Sequence, residues 1–203
     1  MKLKSRFLEE VHVMADLETM SVQSNAAIAQ IGLVAFRPGD EPGEFVSWRN
    51  IHVSLAGQDL LNRHFDPCTI QWWMEQPDEA IKAVFPKSGQ VSLTQGLETM
   101  RDYVLDLKNY NHGLPPERIW GHGSTMDCAI IDSAFVATNV RSPFKFRGFR
   151  DTRTIYDMMT NEDWSDMKDY GAKHDALADA MRQTVVLQRG VRDMLAGADD
   201  GTG

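Results

Sequence analysis

Between residues 11 and 18 the chain alternates strictly. Val11, Val13, Ala15 and Leu17 are apolar on one side, and His12, Met14, Asp16 and Glu18 occupy the other. This period of two predicts a strand with both faces in use, and it places Asp16 and Glu18 side by side. Ala26 to Phe36 follows as a continuous apolar run rich in small and β-branched residues, closed by Pro38-Gly39, the pattern of a buried strand. A third strand is expected within Glu44 to Leu55. The short connections between the three allow a meander, so antiparallel pairing should open the fold.

The period then lengthens. Asp66-Pro67 pairs an N-cap residue with proline at the first helical position, and Gln71-Trp-Trp-Met-Glu-Gln continues the helix until Pro77 interrupts. Ser92 and Gln95 form a capping box ahead of Leu93, Leu97, Met100, Val104 and Leu107, predicting an amphipathic helix to about Lys108. Beyond the polar loop Asn109 to Pro116, Arg118-Ile-Trp-Gly reads as a short strand, and Met126 to Val136 as a helix; this succession suggests an α/β crossover. A further short strand in the segment after Arg141, a helix over Thr152 to Met159 and a last long helix from Asp175 to about Arg192 complete the pattern. We expect one domain over residues 1–195 and a disordered tail over 196–203.

The 203 residues suffice to bury a core without covalent staples. Apolar runs are far shorter than the ~18–20 residues of a membrane-spanning helix, and acidic residues interrupt the N-terminus before a signal-type stretch forms, so a cytoplasmic protein is expected. Cys68 and Cys128 are too few for a disulfide framework or zinc site and read as packed, reduced thiols. The net charge of −8 argues against a protein that coats nucleic acid. Arg141 to Arg153 is the exception: Arg141, Lys145, Arg147, Arg150 and Arg153 face only Asp151, giving this segment +4 and the remainder −12. Phe144, Phe146 and Phe149 interleave with these cations, a pattern that fits a strand with aromatic residues inward and cations toward phosphate, and equally a solvated edge strand.

Two carboxylates on one strand face repel and lose hydration unless a cation neutralises them, which makes Asp16 and Glu18 metal-ligand candidates. Asp127 opens a helix just after a strand end, where α/β folds commonly place function, and would serve equally well as a cap. Late in the chain stands His174-Asp-Ala-Leu-Ala-Asp179. A five-residue separation spans roughly 500° of helix, so His174 and Asp179 would not share a face on one regular helix, whereas Asp175 and Asp179 would. The alternative seats His174 before the helix start, with Asp179 pointing inward and Asp175 favouring the N-terminal dipole.

Asp16-Leu-Glu18-Thr19, Gly121-His-Gly-Ser-Thr-Met-Asp127 and His174-Asp-Ala-Leu-Ala-Asp179-Ala, in that order, resemble the three motifs of the DEDD exonuclease superfamily in its histidine branch. The Trp72-Trp73 pair and the run Phe149 to Tyr156 further resemble the subgroup of T-even phage exonuclease A and mycobacterial exoribonucleases. The resemblance implies an α/β ribonuclease H-like fold: a mixed five-stranded sheet with helices on both sides and an antiparallel second strand. It implies that Asp16, Glu18, Asp127 and Asp179 hold two Mg²⁺ or Mn²⁺ ions, hard cations that prefer oxygen. His174 would be the general base in a 3′→5′ exonuclease that acts on single-stranded or 3′-overhanging DNA or RNA and releases nucleoside 5′-monophosphates. Pairing into a homodimer is a further expectation.

For substrate contact the candidates are Thr19 and Met20 beside the terminal nucleotide, and Arg153 on phosphate. Adjacent tryptophans on a helix point about 100° apart, so one belongs to the core and the other offers a stacking platform. The sequence leaves open which is which; Trp73 is carried forward as the contact. Asp132 and His122 are read as ordinary helix and loop residues. Two other functions fit the same residues. One is a nucleic-acid-end binding module with weak or lost turnover; the other is a metal-dependent hydrolase of small phosphoesters.

Overall fold

The computed structural model describes residues 5–159 and 170–199. Its centre is a five-stranded sheet built from β1 (His12–Thr19), β2 (Ile28–Phe36), β3 (Ser47–His52), β4 (Ile119–Gly121) and β5 (Phe149–Asp151). The spatial order is β3-β2-β1-β4-β5. The opening meander is antiparallel throughout, whereas β4 lies parallel to β1 and β5 parallel to β4. This is the mixed sheet of a ribonuclease H-like fold. Every residue of β2 is buried, as its unbroken apolar run requires of a strand covered on both faces.

The alternation in β1 sorts two cores. Val11, Val13, Ala15 and Leu17 pack with α4 (Leu93–Asp106) and α5 (Asp127–Thr138) on one face. Met14 packs on the other with Val34, Phe36, Trp120 and Leu187 of α7 (Ala176–Asp199). Asp16 and Glu18 share the second parity, so they project toward α7. Its approach is permitted by Gly32, which pairs with Asp16 in the β1–β2 ladder. A Cβ on Gly32 would lie 2.2 Å from the Ala176 carbonyl, so any side chain there would push the start of α7 off the sheet.

The capping box at Ser92 and Gln95 is formed, and Asp66 caps α2 (Pro67–Met74) by accepting from the Cys68 and Thr69 N–H groups. Three shorter helices, α1 (Ser5–Glu9), α3 (Asp78–Val84) and α6 (Thr152–Tyr156), complete the regular elements. Several expectations are corrected. Helix α7 continues to Asp199, well past Arg192, so the tail expected from 196 begins as helix; residues 200–203 lie outside the described residues. The interleaved segment is no aromatic-in strand: Phe146 to Gly148 forms a 3₁₀ turn, and Phe144 is buried while Phe146 is 80% exposed. Cys68 is exposed, whereas Cys128 is packed.

Candidate active site

Three segments distant in sequence meet at the C-terminal end of β1. Ligand atoms of Glu18, His174 and Asp179 all lie within 4.8 Å of one another. Asp127 enters from the first turn of α5, where its Oδ2 accepts the His122 N–H at 3.1 Å. Asp16 lies beneath, with Oδ1 accepting from Gln183 Nε2 at 2.6 Å.

His174 is placed by irregular backbone. Its φ of +60° lies in the left-handed region, which histidine tolerates better than most residues, and α7 begins two residues later. Asp175 caps that helix: Oδ1 accepts the Ala178 N–H at 3.0 Å and Oδ2 accepts from Gln30 Nε2. Gln30 Oε1 in turn accepts the Ala176 N–H, so a fully buried side chain of β2 fixes where α7 starts. Asp179 then points back over the first turn and accepts the His174 N–H at Oδ2.

Burial and like charge dominate the electrostatics. Burial above all, then the charges of Asp127, Glu18 and Asp179, push the Asp16 carboxyl well above the usual range. Burial followed by Asp179, Asp175 and Asp127 pushes Glu18 up to about 8. Burial raises Asp127 to about 7 against the backbone N–H groups that favour its charged form. Among the described residues, the Glu18 carboxylate has neither hydrogen bond nor ion pair. Only Asp179 carries a basic partner, Arg182, whose Nε and Nη2 reach Oδ1 at 3.0 and 2.5 Å. Arg182 also donates to the Gly171 and Ala172 carbonyls, tying the His174 segment to α7.

A cleft of about 440 Å³ opens beside these groups, bounded by Glu18, Thr19, Val22, Trp72, Met126 and His174. Both tryptophans line this cleft, Trp73 among them as the sequence proposed, but they differ in exposure. Trp73 is 5% exposed, packs edge-on to Phe85 and donates Nε1–H to the Thr19 carbonyl; Trp72 is 40% exposed and sets its ring 4.9 Å from that of His174. Trp72 is therefore the more exposed of the two cleft-lining rings. Met20 is also corrected: it is buried with Ala27, Ala29 and Val84 behind Trp73 and does not line the cleft. Thr19 does line it, though its hydroxyl already donates to the Ser21 carbonyl at 2.7 Å. Arg153 is exposed at the start of α6, lies against Gly123 and draws the Asp127 carboxyl down. It makes no ion pair among the described residues. Asp151 holds the adjoining loop, accepting N–H bonds from Gly123, Ser124 and Arg153.

Sequence reasoning passed over Gln30, Gly32, Arg182 and Gln183, because polar or small residues inside regular elements carry no local signal. Only the register of Gly32 opposite Asp16, and the α7 face shared by Asp179 and Arg182, reveal their part.

The fold and the acidic cluster are those that the resemblance to the DEDD exonucleases in their histidine branch led one to expect. A sequence model of the 3′-5′ exoribonuclease Rv2179c-like domain matches residues 11–190, and the chain belongs to that family of 3′-5′ exonucleases. It is 27% identical over 204 residues to the exodeoxyribonuclease of Enterobacteria phage T4, covering 87% of each chain. Among solved structures it resembles cell-death related nuclease 4 (TM-score 0.62, 18% identity, covering 92% of this chain and 65% of that one). It also resembles the nuclease domain of 3′hExo, a DEDDh family member bound to rAMP (0.59, 14%, covering 93% and 94%). E. coli ExoI in a zinc-bound complex with single-stranded DNA is a third (0.58, 12%), and there this chain spans only 42% of the other's length. No helix among the described residues is long and apolar enough to cross a membrane.

Proposed function

We propose that Asp16, Glu18, Asp127 and Asp179 hold two divalent cations, Mg²⁺ or Mn²⁺, and that His174 is the general base. The reaction is hydrolysis of the 3′-terminal phosphodiester of single-stranded or 3′-overhanging DNA or RNA, releasing a nucleoside 5′-monophosphate. The donor chemistry supports this reading: Glu18 and Asp179 stand together with His174, and burial with neighbouring carboxylates disfavours the charge of Asp16 and Glu18, while burial does so for Asp127, the oxygen-rich setting that hard cations suit. When bound, such ions lower the pKa of water and neutralise charge on phosphate oxygens. The chain supplies the rest. His174 takes the proton from the attacking water, its ring standing beside the Glu18 and Asp179 carboxylates. Trp72 and Val22 receive the terminal base, and Arg153, whose guanidinium makes no ion pair among the described residues, meets a phosphate oxygen.

The observation that carries the reading is the convergence of Glu18, His174 and Asp179 from β1, the segment before α7 and α7 itself. With Mg²⁺ or Mn²⁺, purified protein should shorten a 5′-labelled single strand to a ladder of products, and Asp16→Ala or Glu18→Ala should abolish it. Persistent cleavage in either variant would refute the site. Matched DNA, RNA and 3′-overhang substrates fix the preference, sedimentation tests the expected homodimer, and fractionation tests a cytoplasmic location.

A further inference from the structure

The basic segment divides. Arg153 reaches the acidic cluster, but Lys145, Arg147 and Arg150 turn the other way. They line a pocket of about 530 Å³ at the N-terminal ends of β1, β4 and β5, the opposite end of the parallel strands from Glu18 and Asp127. Arg6 and Arg118 join them from α1 and from the approach to β4.

The charges there do not cancel. Glu10 pairs with both Arg6 and Arg118, and Glu117 stands 4.0 Å from Arg6. Lys145 and Arg147 have no carboxylate partner among the described residues. Arg150 commits Nη1 to the Arg147 and Phe149 carbonyls at 2.7 Å, and burial and then the neighbouring Arg118 lower its pKa. Arg150 is partly buried and Lys145 and Arg147 stand exposed at the rim, so three cations share one concavity without counter-charge, a repulsion that an anion would relieve. The remaining wall is apolar and stiff: Leu114, Pro115, Pro116 and Pro143. Bare phosphate would leave that wall uncovered, whereas a nucleotide matches both halves.

We propose that this pocket binds the phosphate of a nucleotide, with Lys145, Arg147 and Arg150 as donors and the proline wall against its sugar or base. The choice of ligand rests on the exonuclease reading. The source is a distal stretch of the substrate strand or a free mononucleotide. Glu10 and Glu18 bracket β1, roughly 26 Å apart at ~3.3 Å per residue. A dinucleotide therefore cannot occupy both sites, while ten nucleotides span about 34 Å even at the stacked rise of ~3.4 Å.

The test is fluorescence anisotropy of a 5′-labelled ten-nucleotide single strand in EDTA, comparing the full chain with Lys145→Glu/Arg147→Glu. Both side chains are exposed, and an unchanged melting temperature verifies folding. The variant should bind about ten-fold more weakly, with a salt slope shallower by roughly 1 to 1.5, while dinucleotide turnover in Mn²⁺ stays at the wild-type rate. Calorimetry with AMP separates the sources: AMP binding lost in the variant marks a mononucleotide site, and AMP binding equal in both proteins beside weaker strand binding marks strand phosphates. Strand affinity within two-fold of wild type together with equal AMP binding would overturn the proposal, as would a parallel fall in dinucleotide turnover. A wild-type chain that cuts strands yet ignores the double substitution sinks the pocket alone; one that binds strands without cutting any sinks the catalytic reading and leaves the pocket standing.

Discussion

His174 meets Asp179 through its backbone: the His174 N–H donates to Asp179 Oδ2 at 3.1 Å. On one regular helix a residue pair at this spacing would diverge. The left-handed turn at His174 bends the chain back so that the ring and the carboxylate face one point. On the proposed function Asp179 has two duties, holding the segment that carries His174 and offering charge to a cation. The two separate on substitution. Asp179→Asn retains an acceptor for the His174 N–H and should keep the melting temperature in EDTA within a few degrees, yet lose the further stabilisation that Mn²⁺ confers. Asp179→Ala should lose both, with an added cost of about 1 kcal/mol for the missing acceptor. Thermal unfolding with and without Mn²⁺ measures each.

The acidic cluster sets the sign of a pH effect. The Glu18 carboxyl rises from its ordinary 4.5 to about 8 in the fold, so between these values the folded chain holds the proton more tightly than the unfolded one. Its contribution to stability is complete below about 4.5 and is lost as pH rises through about 8. In EDTA the protein should therefore lose stability from Glu18 across that window, and Glu18→Gln should stabilise it at pH 8 by about 1–3 kcal/mol. Divalent cation should reverse the trend, because ligation needs the carboxylates ionised and releases protons. A Glu18→Gln protein no more stable than wild type in EDTA at pH 8 would contradict this.

The two tryptophans should fail differently. Trp72→Ala removes an exposed face beside His174 and should weaken strand binding by about 1–3 kcal/mol, read as a higher KM at nearly constant melting temperature. Trp73→Ala empties a core position and strands the Thr19 carbonyl, and should cost about 3–5 kcal/mol of stability. Equal effects of the two on KM and on unfolding would remove the distinction.

On the α7 face, His12 governs the response to acid. It is fully buried among Phe7, Phe36 and Trp120, its Nδ1 accepts from Trp120 Nε1 at 3.0 Å, and Nε2 has no partner among the described residues. Burial, then Arg118 and Arg150, lowers its pKa from 6.5 to about 3. The unfolded chain takes up the proton first, so this contribution is complete above 6.5 and should decline by up to about 1.4 kcal/mol per pH unit toward 3. His12→Leu should flatten that limb, at a cost of about 1–3 kcal/mol at pH 7.5 for the orphaned Trp120 N–H. Denaturant titrations between pH 4 and 7.5 test both.

Local signals made much of the frame legible. The alternation of β1, the apolar run of β2, the capping box at Ser92 and the proline start at Asp66-Pro67 need only neighbouring residues for their meaning, and those elements stand where the pattern puts them. The aromatic-basic segment misled because alternation alone does not distinguish a strand from a 3₁₀ turn flanking a short one. Met20 misled for another reason, which also hid how deeply Trp73 is packed. Proximity in sequence to Asp16 and Glu18, or to an exposed neighbour, says nothing about which way a side chain is turned once helix and sheet have packed.

By itself, then, the sequence determined the strand that carries Asp16 and Glu18 on one face, the order of the acidic motifs and the segregation of charge, because period and spacing are properties of the covalent chain. Tertiary structure alone decided that Gly32 would admit α7 beside Asp16, that Arg182 would rest on Asp179, that Trp72 would stay outside while Trp73 went in, and that the basic segment would split between opposite ends of the sheet. Those outcomes depend on close approach between residues far apart along the chain, where a single Cβ or one turn of left-handed backbone shifts side chains by several ångströms.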